Sequence, residues 1–169
     1  MKRLILALAL MLSFTAASAQ NYAVVNSEKI FKSIAAYNEA ITQLDKIAEQ
    51  YQTQVDAKFE EVEKLYNAYM QHKASLSETL QQANEEKILQ MERAASEYQE
   101  SIFGTDGELM KKRLELIQPI QKKVFAAIEE YAKSKGYDMI IDISQNATML
   151  YYSANVDHTQ AVITLLKSK

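Results

Sequence analysis

The sequence predicts an α+β chain that is predominantly α, in which a small β-rich hub carries one long antiparallel helical hairpin. Three observations predict it. Apolar residues recur three and four apart for about a hundred residues. The 169 residues include only three glycines and one proline, too little turn chemistry for anything but long uninterrupted elements. Runs of strand formers stand at both ends, "YAVV" at 22–25 and "GYDMIIDISQNATMLYYSA" at 136–154.

Residues 1–19, "MKRLILALALMLSFTAASA", have the three parts of a secretory signal: Lys2 and Arg3, an apolar run from Leu4 to Leu12, and Ala17-Ser18-Ala19 as a cleavage site. The expected mature chain begins at Gln20. The apolar run is too short to span a membrane, and no other stretch approaches the roughly 20 apolar residues a spanning helix needs. There is no cysteine, which excludes disulfides and a lipidated cysteine. Without Lys2 and Arg3 the formal charge is −5, which argues against a nucleic-acid partner. Residues 36–103 hold 13 acids against 6 bases, whereas residues 104–169 are near neutral.

The hub is expected to begin in residues 20–36, with Tyr22–Val25 as a strand and Asn26 or Ser27 capping a short helix through Ile34. The hairpin is expected over 37–118. Its outgoing helix carries the narrow stripe Ile41, Leu44, Ala48, Tyr51, Val55, Phe59, Val62, Tyr66, Tyr69, which calls for a partner helix. At 1.5 Å per residue that helix is about 55 Å long and must project as an arm. "SLSE" at Ser75–Glu78 fits a capping box and puts the tip near 74–80. The returning stripe is Ile88, Met91, Ala95, Tyr98, Ile102, then Met110, Leu114, Ile117, Val124, Ile128, Tyr131 after the "GTDG" interruption. Gly104 and Gly107 are candidate bending points in the arm, and Pro119 is expected to kink the helix where arm meets body.

The hub resumes over 119–169. In "YDMIIDIS" the alternation puts Met139, Ile141 and Ile143 on one face, with Asp138, Asp142 and Ser144 on the other beside Ile140. "TMLYYSA" from Thr148 is expected as a further strand, and a last helix is capped by Asp157 with Gln160 completing a capping box. Val24, Met139, Ile141, Ile143 and Leu150 are the hub positions whose apolar faces a single chain cannot cover, so oligomerisation is expected.

The inventory for an enzyme is poor. His72 and His158 are far apart and are expected as solvated surface residues, with no metal site. Asp138 and Asp142 lie about 13 Å apart along a strand, too far to act on one bond. No glycine-rich phosphate loop exists, so no cofactor is expected. "NAT" at 146–148 matches a glycosylation sequon, but its place in a turn explains it. Instead, Tyr66, Tyr69, Met70, Met91 and Tyr98 put aromatic and thioether groups on an arm with one internal seam. Side chains off that seam form adaptable apolar surface suited to unfolded or varied partners.

The opening "YAVVNSEKIF", the hairpin with its tip near "SLSET" and the closing "YDMIIDISQNATMLYYSANVDHTQAV" together resemble the Skp/OmpH periplasmic chaperones of Gram-negative bacteria, over the whole mature chain. The resemblance implies a homotrimer whose hub holds three tentacle-like coiled-coil hairpins around a cavity, sheltering unfolded outer-membrane β-barrel proteins in the periplasm without ATP. The best-known members of that family have basic arms, whereas this arm is acidic by seven charges. Direct binding to an anionic membrane is therefore not expected. A structural spacer or adaptor of the envelope is the rival expectation, and an enzyme a distant third.

Overall fold

The computed structural model describes residues 21–145 and 149–168. The expected signal peptide with its cleavage site after Ala19, and the expected turn at "NAT" with Thr148, lie outside the described residues. The chain divides into two compact units, one made of residues up to Ile34 and from Gln121 onward, the other of Ala35–Ile120.

The first unit is organised around strand β1 (Tyr22–Val25), which pairs in parallel with β2 (Met139–Asp142), Tyr22 opposite Met139 and Val25 opposite Asp142. The Ile143 amide extends the ladder by donating to the Val25 carbonyl at 2.8 Å. On its other side β1 bridges to Asp157, and the His158 amide donates to the Val24 carbonyl at 2.9 Å. Flanked on both edges, Ala23, Val24 and Val25 are almost fully buried. The chain then turns into helix α1 (Ser27–Lys32), where the Asn26 side chain accepts from the Lys29 amide at 2.9 Å and so caps the first turn. Under the sheet, Val25 and Ile30 pack with Val124 and Tyr131 and with Val162 and Ile163 of the last helix. Burying each such side chain stabilises the fold by about 1.5–3 kcal/mol.

The second unit begins with α2 (Ala35–His72), whose 38 residues make a helix about 57 Å long. A 3₁₀ turn at Lys73–Ser75 reverses the chain into α3 (Glu78–Phe103), which returns along α2. After a break at 104–107, α4 (Glu108–Lys135) begins. Leu109, Leu116, Ile117 and Ile120 of α4 pack with Tyr37, Ala40, Ile41 and Leu44 of α2. Helix α4 runs unbroken through Pro119, and its later turns supply Val124 and Tyr131 to the first unit.

The structure corrects several expectations of detail. Ser77, not Ser75, caps α3, its Oγ accepting from the Leu80 amide at 3.4 Å. Ser75 is taken into the 3₁₀ turn and donates to the His72 carbonyl. The stripe after the break shifts to Leu109 and Leu116, which leaves Met110 and Leu114 exposed. No strand forms at 149–153. Leu150 and Tyr151 are 95% and 83% exposed, and the segment passes to a 3₁₀ turn at Ala154–Val156. The sheet therefore has two strands among the described residues.

Within β2 it is Ile140 that packs on the core, while Met139 is half exposed. Both faces of "MIID" are apolar enough for either choice, and pairing with β1 over α5 (Thr159–Lys167) decides it. Val24 is wholly buried inside its own chain and so offers nothing to a second copy, contrary to its expected place at the subunit contact. Asp157 binds the Thr159 amide at 3.0 Å and the Thr159 hydroxyl at 2.6 Å, so the expected box with Gln160 does not form. His158 is not a solvated surface residue. Its ring lies between Tyr131 and Tyr137, with Nδ1 2.8 Å from the Tyr131 hydroxyl and Nε2 2.7 Å from that of Tyr137. Bonded to both phenols, the ring ties α4, the approach to β2 and the start of α5 together.

Asp142 fastens the end of β2 to the start of α1. Its carboxylate accepts from the Ser27 amide at 3.1 Å, the Ser27 hydroxyl at 2.5 Å and the Ser144 amide at 2.9 Å. Partial burial pushes this carboxyl upward, but the hydrogen bonds from Ser27 and Ser144 outweigh it and hold the pKa below its ordinary 3.8. A folded-state pKa lowered in this way gives stability that is present above the ordinary value and lost as pH falls through the lower one. Asp142→Asn keeps the shape but removes the charge, so it should melt below the wild type at pH 7. The gap should close as pH drops below the carboxylate range, and thermal melts across pH 7 to about 2 check this.

Candidate functional site

A pair of helices has one seam, and side chains that turn off it meet solvent. In the hairpin unit the seam is filled by Leu44, Val55 and Tyr69 from α2 and by Ala95 and Ile102 from α3, all nearly buried. The neighbouring residue on a helix points about 100° away, so each adjacent apolar pair splits between seam and flank. Leu65 and Tyr66, Tyr69 and Met70, and Ile88 and Leu89 all do so. Tyr66, Met70 and Leu89 are 47%, 48% and 46% exposed. Together with Tyr69, Ile88, Lys73, Glu85 and Glu92 they line one open groove near the tip.

The polar rim of this groove is ordered. Glu85 accepts from the Tyr69 hydroxyl at 2.5 Å and from Lys73 at 2.9 Å, and the Lys73 ammonium also lies 5.2 Å from the centre of the Tyr69 ring. The phenol and then the ammonium hold the Glu85 carboxyl below the usual carboxylate range. Burial first, and then the carboxylate, push the Tyr69 phenol up. The turn is tied by Gln81, whose amide donates to the carbonyls of Lys73 and Leu76, both at 3.1 Å.

Of the five side chains expected to form adaptable surface, Tyr66 and Met70 are on the flank. Tyr69 is only 5% exposed and belongs to the seam, because its ring fills the space between the helices while its hydroxyl reaches Glu85. Tyr98 is partly buried, its hydroxyl bonded to Gln54 across the seam and its face covered by the Lys58 ammonium at 4.8 Å. Met91 is likewise half-buried. Leu89 was missed, although its place directly after the seam residue Ile88 was the signal that could have found it. In the strand unit, Met139, Leu150, Tyr151 and Tyr152 are exposed, and Ile141 and Ile143 are half-buried.

Gly104 and Gly107 stand at a built stop and not inside a continuous helix. Gly104 ends α3, with its amide bonded to the Glu100 carbonyl at 2.8 Å, and Gly107 donates to Gly104 at 2.9 Å. Neither has a positive φ. A Cβ on Gly104 would fall 2.5 Å from the Glu100 carbonyl oxygen, and one on Gly107 would fall against the Ile102 carbonyl, 2.7 Å from its carbon. The glycines are there for space.

Among the described residues no group of three or more His, Cys, Asp or Glu could hold a metal ion, and no helix is long and apolar enough to cross a membrane. What the fold defines is a class of protein: a helical hairpin joined to a small unit in which strands from the two ends of the chain pair in parallel. The sequence profile of the family described as outer membrane protein (OmpH-like) matches residues 21–166, and the chain belongs to that family. A crystal structure titled as a proposed outer membrane chaperone (OmpH-like) from Caulobacter crescentus CB15 matches the fold with a TM-score of 0.64 at 12% identity, covering 90% of this chain and 87% of that one. No curated protein matches.

Two expectations follow from these geometries. Replacing Gly104 and Gly107 together with alanine should destabilise the hairpin by about 1–3 kcal/mol through overpacking, seen as a lower melting temperature by circular dichroism. A gain of helicity with no loss of stability would mean that the break closes into continuous helix. Tyr66→Ser with Met70→Ser should leave far-UV helicity and melting temperature nearly unchanged, because both side chains are half exposed. Binding of unfolded polypeptide should nevertheless weaken, which anisotropy of a labelled unfolded chain would report. Undiminished binding by that folded variant would remove the flank from consideration.

Proposed function

We propose that this protein is an ATP-independent periplasmic holdase that binds unfolded outer-membrane proteins in a cavity between the arms of a homotrimer. The observation that carries this reading is the exposed groove of Tyr66, Met70 and Leu89 on a helical pair whose seam is already filled by other residues. Side chains not needed to hold the hairpin together remain free to contact a partner, and tyrosine, methionine and leucine adapt to many sequences. Family membership and the chaperone title of the similar Caulobacter protein support the same class of work. No catalytic group is required for it.

Assembly is proposed through the strand unit, where Met139, Leu150 and Tyr151 leave apolar surface that a second copy could cover. Several weak apolar contacts within one cavity then strengthen one another through effective concentration. The signal sequence supports delivery to the periplasm with cleavage after Ala19. The acidic hairpin argues against direct attachment to anionic membranes.

The test is dilution of a urea-denatured outer-membrane β-barrel into buffer with the purified protein and no nucleotide, followed by light scattering. Suppression of aggregation near one trimer per client is expected, with sedimentation giving a trimer at micromolar concentration. Deleting Asn67 to Glu92 removes the groove and leaves both strands, so the assembly should survive while suppression falls. Unaltered suppression by that deletion would move the client surface elsewhere, and a spacer or adaptor would show no suppression at all.

A further inference from the structure

The groove at the hairpin tip has at one end a charge, that of Glu92, with no ion-pair partner among the described residues. Of the charged groups lining it, Lys73 and Glu85 are paired with each other, and Lys73 also faces the Tyr69 ring. Glu92 has no ion pair among the described residues, and no cation stands three or four positions from it on α3. It lies one turn beyond Leu89 on the same flank, about 4.5 Å further along the helix axis. The groove thus presents an apolar floor of Met70, Leu89 and Tyr66 with an unpaired carboxylate at its edge, on helices that together carry a charge of −7 over residues 36–103.

We infer that the tip groove takes apolar side chains that are followed within two residues by lysine or arginine, so that this protein prefers cation-bearing unfolded segments. In an extended segment the next side chain on the same face is about 6.6 Å along. With an apolar residue seated between Met70 and Leu89, a long basic side chain at that next position reaches Glu92. Because Lys73 is held by Glu85, it offers no comparable site to an acidic segment. This inference rests on the proposed holdase reading and adds the chemistry of the segments held.

The preference is modest at each groove, because a half-exposed ion pair changes affinity by only about two- to five-fold. The probes are disordered labelled peptides carrying several Leu-Gln-Arg units, or the same peptides with Leu-Gln-Gln or Leu-Gln-Glu units, bound to the full-length protein and followed by anisotropy. The wild type should bind the arginine peptide about three-fold more tightly than the glutamine peptide, with the difference shrinking as salt is raised. Glu92→Gln should abolish that difference, the arginine and glutamine peptides then binding equally. Glu61→Gln alters net charge equally but lies outside the groove, so it should retain the difference. Leu89→Ser should weaken all three peptides. Equal losses in Glu92→Gln and Glu61→Gln would overturn the inference in favour of a diffuse acidic field, as would equal wild-type binding of the arginine and glutamine peptides while aggregation is still suppressed. Failure to bind any of the three, together with no suppression, would instead overturn the holdase reading itself.

Discussion

The parallel pairing of Tyr22–Val25 with Met139–Asp142 is the interaction on which the strand unit depends. A four-residue strand is stable here because both of its edges are used, by β2 on one side and by Asp157 and His158 on the other. That double pairing satisfies the backbone of a segment whose side chains are almost fully buried, which hydrocarbon surroundings would otherwise penalise. Everything else in the unit is fastened to this arrangement. Asp142 holds α1 by its first amide, Thr159 receives the Asn26 amide, and His158 joins two tyrosines from different parts of the chain.

The hairpin unit obeys a different constraint. Two helices can bury only one stripe each, so a sequence with more apolar residues than the seam can hold must expose the remainder. Val55 and Ala95 show what the seam accepts, while Tyr66, Met70 and Leu89 are what it cannot. The polar groups on the rim are arranged so that the exposure stays local: Glu85 gathers both the Tyr69 hydroxyl and the Lys73 ammonium, which fixes the seam tyrosine and leaves its neighbours outward.

The long helices and the strands at 22–25 and 139–142 were legible because their patterns extend over many residues or occupy short β-branched runs between clear stops. Detail failed where two answers satisfied the same local rule. Ser75 and Ser77 both suit an N-cap, and the tight turn consumed the first. The alternation in "YDMIIDIS" gives two apolar faces, and only the neighbouring strand and helix select Ile140. "TMLYYSA" has the composition of a strand, but that preference expresses fit to a half-buried pleated surface, and at 149–153 Leu150 and Tyr151 face solvent instead. His158 looked like an ordinary surface residue, since its two phenolic partners lie 27 and 21 positions away. For the candidate site, period alone could not separate Tyr66 from Tyr69, because both fit a stripe of threes and fours.

The separation of β1 from β2 in the sequence also sets an order of events during folding. Helices and their local pairing form in microseconds, whereas contacts between distant residues wait for the intervening chain to close. Bringing Val25 to Met139 across the unfolded intervening chain costs loop entropy that grows with the logarithm of its length. Once α2 and α3 have paired through Tyr69, Glu85 and Lys73, most of that chain is already folded back on itself, and the remaining closure costs roughly 1 kcal/mol less. The hairpin is thus the early structure that makes the late sheet attainable. During the interval "YAVV" has two unsatisfied edges, and in a crowded compartment it could be claimed by the β2 of another molecule before its own arrives.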